Sequence, residues 1–218
     1  MGTYTGDASA ATIGHGLGAV PTMIMVKELS GEGGGGWHVY HKYDTAAPET
    51  DYLLLDETGA TSDNAAIWND TAPTSTVFSV GSNDDVNGSS DTFVYYAFTD
   101  IEGYSEFGGF EGNNNAFGPY IYLGFKPAWL MIKNVDEAST NWNIFDIARQ
   151  PQNLTNGIGL RPNVTQAEHA ASIAIDLLAN GFKLRDAGGD INNAVSYVYA
   201  AFAAHPFGGS GVSPATAI

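Results

Sequence analysis

The chain has no cysteine among its 218 residues, so neither a disulfide nor a thiolate-bound metal can hold the fold. Stability must come from burial and strand pairing. Basic residues are scarce: 8 Lys and Arg against 24 Asp and Glu give a formal charge of −16 at pH 7. Nucleic acid and anionic membrane surfaces both select for clustered Lys and Arg, and this composition argues against either as a partner. No apolar run approaches the roughly 20 residues of a spanning helix, so membrane insertion is not expected. The opening MGTYTGDASA lacks the basic and apolar regions of a signal peptide. Any work outside a cell is not expected to rely on a signal encoded in this chain.

What the chain does contain is one pattern written twice. YTGDASAATIGHGLGAVPTMIMVKE, from Tyr4, is answered by FEGNNNAFGPYIYLGFKPAWLMIKN, from Phe110. GWHVYHKY is answered by NWNIFDIAR, and the segment ending DTFVYYAF by the one ending VSYVYAAF. Pro21 and Pro127, Trp37 and Trp142, and Phe98 and Phe202 give spacings of 106 (127 − 21), 105 (142 − 37) and 104 (202 − 98). A solenoid repeat spans roughly 20–50 residues, so each copy reads as a small domain. The division expected is 3–101 for the first unit, 102–109 for a connector, 110–207 for the second unit and 208–218 for a Gly/Ser/Pro-rich tail.

Local chemistry points to strands. TMIMVKEL, WHVYHKY, DYLLLD, TVFSV and TFVYYAF are short runs of β-branched and aromatic residues, separated by Gly, Asn, Asp, Ser and Pro clusters. The 27 glycines and the Asn-Gly pairs at Asn87, Asn156 and Asn180 supply turn chemistry for closely spaced antiparallel strands. The fold class expected is all-β: two tandem, duplicated antiparallel β-sandwich units, jelly-roll-like. One segment dissents, since TQAEHAASIAIDLLANG carries a Thr165-x-x-Glu168 capping box. Its counterpart in the first copy contains Pro73 and β-branched residues, so Ile173 to Asp176 reads as a strand with a short helical turn before it. Residues kept in both copies, among them Gly6 with Gly112, Lys27 with Lys133 and Trp37 with Trp142, read as demands of the fold, and both Trp residues as buried anchors. Function is sought where the copies differ.

Few residues form a recognisable chemical constellation. His38 and His41 would share a metal on a helix but point to opposite faces of a strand. His15, His169 and His205 sit in loop contexts without ligand spacing. No Gly-x-Ser-x-Gly elbow is present, and GEGGGGW lacks the Lys-Ser/Thr of a phosphate loop. Two acidic turns stand out, with Asp84, Asp85, Asn87 and Asp91 in the first copy and Asp186 and Asp190 in the second. Hard oxygen ligands on tight loops suit Ca²⁺, though the spacing is not that of an EF-hand, and Asp and Asn also make turns by bonding their own backbone. Paired carboxylates for glycoside hydrolysis have no local spacing rule, so the acidic residues neither identify nor exclude a glycan depolymerase.

The ordered set YTGD, HGLG, GWHVYHK, TAPTS, SEFGGFEGN, KPAW, NGFKLR and HPFGG, from Tyr4 to about Phe207, resembles a domain family of tailed-bacteriophage virion proteins, tail-fibre-like or otherwise structural. That resemblance implies location in the virion, other virion proteins as partners, and for a fibre a homotrimer. It brings no catalytic residues. The leading expectation is a non-enzymatic receptor-binding module without a required cofactor, touching host-surface glycans through exposed aromatic faces beside polar groups. Trp68, Tyr104 and Trp129 are the candidate ligand-binding residues, because each lacks an aromatic counterpart in the other copy. A capsid decoration or cement protein is the alternative, and a carbohydrate-binding module or glycan depolymerase a lesser one.

Overall fold

The computed structural model describes residues 1–31, 35–151, 153, 157–170 and 174–206. The expected tail at 208–218 and the Asn156-Gly turn lie outside the described residues. The chain divides into two units, Met1–Thr99 and a second from Asp100 onward, and both are built almost wholly from antiparallel strands. All five expected strands of the first unit form.

The first unit runs β1 (Gly2–Thr5), β2 (Ala11–Gly14), β3 (Met23–Ser30), β4 (His38–His41), β5 (Asp51–Leu54), β6 (Ser62–Asp63), a one-turn helix α1 (Ala65–Trp68), β7 (Val77–Val80), a one-turn helix α2 (Asp84–Asn87) and β8 (Thr92–Phe98). Its main sheet has the order β1-β8-β3-β4-β5-β6, and β2 pairs with β7 in a second layer. Alternation along β3 and β8 turns Ile24, Val26, Phe93 and Tyr95 to the side where Phe78 and Val80 of β7 close the core. Tyr4 stacks on Phe93 at 5.1 Å between centroids. All four residues of β4 are buried, so the two faces of that strand are both covered.

The second unit runs β9 (Ser105–Glu111), β10 (Tyr120–Tyr122), β11 (Pro127–Asn134), β12 (Asn143–Asp146), β13 (Ile158–Gly159), β14 (His169–Ala170), β15 (Ile175–Leu178), β16 (Gly181–Leu184), a one-turn helix α3 (Gly189–Asn192) and β17 (Ser196–Ala203). The order β9-β17-β11-β12 matches β1-β8-β3-β4 position for position. A three-stranded sheet β10-β16-β15 forms the second layer, and Ile121, Phe182, Leu184, Ile175 and Leu177 from it meet Leu130, Ile132, Tyr197 and Tyr199. Phe110 stacks on Tyr197 at 5.0 Å, as Tyr4 does on Phe93.

Three expectations need correction. Residues 102–109 are not a connector, because Ser105–Glu111 is β9, paired along its length with β17. Gly108 and Gly109 suggest a loop in the sequence, yet a Cβ at Gly108 would lie 2.5 Å from the Tyr199 hydroxyl. Glycine is there to let a tyrosine cross the strand. Of the strand expected at Ile173–Asp176, Ile173 lies outside the described residues, and the strand is found at Ile175–Leu178, where Ile175 and Leu177 alternate into the core. The helical turn before it is not formed between residues 161 and 168, and Glu168 of the apparent capping box pairs instead with Arg149 at 2.8 Å. Trp142 is a buried anchor as expected, whereas Trp37 is half-buried and lies against Tyr96 at 6.2 Å.

The paired lysines have one job in both units. Lys133 is fully buried, and its Nζ donates to the Thr140 carbonyl at 3.0 Å and to Thr140 Oγ1 at 2.9 Å. Lys27 Nζ donates to the Gly35 carbonyl at 2.5 Å. Each ammonium thus ties down the loop that follows its own strand, and the stem lies along the sheet.

Candidate functional site

The three aromatic candidates meet different fates. Trp68 is only 2% exposed, on α1, packed edge-to-face on Tyr40 at 6.2 Å within the first core. It cannot present a face to a ligand, and this corrects its assignment. Trp129 on β11 is half-buried over Phe202 at 5.7 Å, its cross-strand partner on β17. Tyr104 is exposed and meets the same Phe202 edge-on at 6.1 Å. The structure therefore brings Tyr104 and Trp129 into one aromatic group around Phe202 and leaves Trp68 in the other unit.

The six acidic-turn candidates do not converge as two clusters: Asp91 is directed to Gly31 and Gly88, where its Oδ2 would meet an added Cβ at 2.8 and 2.2 Å, and the other five are engaged otherwise. Asn87 is buried, its Nδ2 donating to the carbonyls of Ser9 at 2.5 Å and Gly81 at 2.8 Å while its Oδ1 accepts from Asp7 N–H at 3.2 Å. An amide so committed has no oxygen to offer a metal. Asp84 and Asp85 form the first turn of α2, capped by Asn83. In the second unit Asp186 Oδ1 accepts from Ala187 N–H at 2.8 Å, and Asp190 is paired with Arg161 at 2.8 Å. Among the described residues no group of three or more His, Asp or Glu is arranged to hold an ion.

A better surface lies on β10. Tyr120 and Tyr122 are 44% and 65% exposed, while Ile121 between them is buried, so strand alternation turns both phenol rings outward on one face. Phe117, three residues before, is 84% exposed. Asx turns hold its loop: Asn115 Oδ1 accepts from Phe117 N–H at 2.8 Å, and Asn113 Nδ2 donates to the Phe117 carbonyl at 3.0 Å. The Tyr120 hydroxyl donates to Asn180 Oδ1 at 2.7 Å, which fixes the ring beside an amide. β10 is also the edge of its sheet. Two outward phenol rings, one of them bonded to an Asn side chain, with an exposed Phe on the loop that leads into the strand, offer faces on which a sugar ring can stack while its hydroxyls find partners.

These residues were within reach of sequence reasoning. Residues 106 positions earlier are Ala11, Gly14 and Gly16, so Phe117, Tyr120 and Tyr122 satisfy the same test of a missing aromatic counterpart that selected Trp68, Tyr104 and Trp129. The signal was the alternation in YIY within a Gly/Asn-rich setting, which separates outward rings from the inward Ile121.

A family model described as a domain of unknown function, DUF7483, matches residues 1–206. The chain belongs to that family. The match runs through both units. No curated protein matches the chain, and no solved structure does. No helix among the described residues is long and apolar enough to cross a membrane.

Ionisable groups that depart from their ordinary values include the buried phenols of Tyr4, Tyr40 and Tyr197, all raised, and the side chains of Glu106 and His38. Burial raises the Glu106 carboxyl, opposed by a hydrogen bond from the Tyr199 hydroxyl at 3.0 Å and assisted by nearby Asp100. Burial lowers the His38 imidazole below its ordinary value of 6.5, with Asp85 opposing the shift, and the ring lies against Tyr52 at 5.2 Å. As pH drops below 6.5, the unfolded chain takes up a proton at His38 that the folded chain resists, so stability declines in that direction. We expect melting curves between pH 7.5 and 5.5 to show this slope, and His38→Asn, which places the residue found at Asn143, to flatten it. An unchanged slope in the variant would assign the effect to other groups.

Proposed function

We propose that the chain is a virion protein of a tailed bacteriophage, a tail-fibre or receptor-binding module that contacts host-surface glycans through β10 of its second unit. The observation that carries the reading is the outward pair Tyr120 and Tyr122 on β10, with Asn180 bonded to Tyr120 and exposed Phe117 on the preceding loop. The motif resemblance across the chain supports the virion setting, and so does a cysteine-free, strongly acidic composition suited to assembly in a reducing cytoplasm. The role proposed is binding, without catalysis, and the fibre reading carries a homotrimer with it. A capsid decoration protein is the second reading. It is favoured by the placement of these rings on an edge strand, to which a partner strand can add by backbone pairing.

A glycan array probed with the purified chain, followed by titration of the strongest hit, tests the proposal. Tyr122→Ala and Phe117→Ala are each expected to weaken binding about tenfold, the loss of one stacked aromatic contact. Circular dichroism should be unchanged, since both side chains are exposed. Absence of any glycan hit, together with loss of capsid binding in the same variants, would replace the receptor reading with the decoration reading.

A further inference from the structure

We infer that the first unit binds a hard cation, Ca²⁺ by its oxygen-only donor set, between Glu28 and Asp91. This site is separate from the β10 surface and does not depend on the glycan reading.

Glu28 sits at the end of β3, where the pairing with β8 shifts register between Glu28 and Ser30. Alternation with Ile24 and Val26 carries its carboxylate to the inner face, where Glu28 is 7% exposed. Its Oε2 accepts a long hydrogen bond from Gly35 N–H at 3.4 Å, while Oε1 is buried with no hydrogen-bond partner among the described residues. A buried carboxylate oxygen without a donor is costly, so something must satisfy it. Lys27 is bonded to the Gly35 carbonyl and makes no ion pair with Glu28 Oε1.

What Oε1 faces is a second carboxylate. A Cβ added at Gly31 would lie 1.7 Å from Glu28 Oε1 and 2.8 Å from Asp91 Oδ2, so the two oxygens are at most 4.5 Å apart, the sum of those distances. Oxygens at that separation can both reach one Ca²⁺ at roughly 2.3–2.6 Å. A Cβ at Gly88 would lie 2.2 Å from the same Asp91 oxygen and 3.0 Å from the Asp84 carbonyl, which places a backbone oxygen alongside. Two carboxylates fall short of a three-residue ligand group, and the carbonyl and water complete the shell that Ca²⁺ accepts.

The second unit supplies the contrast. At the position 106 residues after Glu28 stands Asn134, whose Nδ2 donates to Glu137 at 2.9 Å and whose Oδ1 accepts from the N–H groups of Asp136 at 3.0 Å and Glu137 at 2.9 Å. There the residue is an uncharged amide, satisfied by Glu137 and the backbone that follows it. The second unit also has an internal cation, Arg161, on Asp190 at 2.8 Å. The first has no arginine: residues 1–99 hold 2 lysines and 13 acidic residues, a net of −11 within the chain's −16. A bound cation supplies the charge that this corner lacks.

Calorimetric titration of the full chain with Ca²⁺ after EDTA treatment, with thermal unfolding at matched ionic strength, tests the site. One ion per chain is expected, with a rise in Tm of about 5 °C at saturation. Glu28→Gln and Asp91→Asn should each abolish both signals, while the exposed Asp70→Asn retains them. If Glu28→Gln fails to fold, Asp91→Asn alone decides. A Tm rise of equal size in all variants would reduce the effect to general screening of a −16 chain and overturn the site. So would the absence of any Ca²⁺ response in the wild-type chain.

Discussion

Asn192→Ala is expected to lower the unfolding free energy by roughly 3–5 kcal/mol, enough to unfold a marginal domain. Asn192 is fully buried at the end of α3. Its Nδ2 donates to the carbonyls of Asn115 at 2.9 Å and Asp186 at 2.5 Å, and its Oδ1 accepts from Asn113 N–H at 2.9 Å. Alanine removes these bonds at once and leaves backbone groups of two separate loops unsatisfied in an interior that water does not fill. Asn87 has the same arrangement with Ser9, Gly81 and Asp7, so Asn87→Ala should destabilise the first unit to a similar extent. Urea unfolding followed by far-ultraviolet circular dichroism measures both. Either variant within about 1 kcal/mol of wild type would mean that the loops hold without the amide. Asn192→Asp should be no milder, because the carboxylate repeats the acceptor but turns two donors into repulsive contacts with carbonyls.

The same amide illustrates what sequence can and cannot tell. The strands were legible because their signal is local: alternation in TFVYYAF and in the runs around Met23 and His38 needs only neighbouring residues. The role of Asn87 was not, because the groups it binds at Asp7 and Ser9 are about 80 residues away and nothing near Asn87 distinguishes a keystone from a turn former or a Ca²⁺ ligand. Trp68 failed for a related reason. Its isolation among turn residues suggests exposure, but α1 lays it onto Tyr40 of a strand nearly thirty positions earlier. The connector expected at 102–109 failed in the opposite sense, since the glycines within Ser105–Glu111 belong to a strand, where glycine marks close approach as readily as a loop. The exposed rings of β10 needed no distant information and were recoverable from alternation alone.

Gly112→Ala is expected to be about as damaging as the loss of Asn192, costing about 3 kcal/mol or more, for a purely steric reason. A Cβ at Gly112 would lie 1.9 Å from the Asn193 carbonyl oxygen, far inside any tolerable contact, and the neighbour is backbone and cannot rotate away. The two chains are locked there: Gly112 N–H donates to the Val195 carbonyl at 2.9 Å, and Asn114 N–H to the Asn192 carbonyl at 2.8 Å. Relief of the clash must therefore pull β9 from the start of β17 or displace α3 and its buried amide. Gly6 is held in the same way against the Gly88 carbonyl, where a Cβ would come within 2.2 Å, and Gly6→Ala should weaken the first unit similarly. Gly59→Ala provides the control, because nothing lies within 4 Å of the Cβ it would add. Thermal melts of the three variants separate the cases: Gly59→Ala should stay within about 1 °C of wild type, while the other two fall by 10 °C or more. If Gly112→Ala melts with the control, the strand and the turn at Asn193 must be able to part without cost. The buried Asn192 would then not be the point on which that end of the sheet closes.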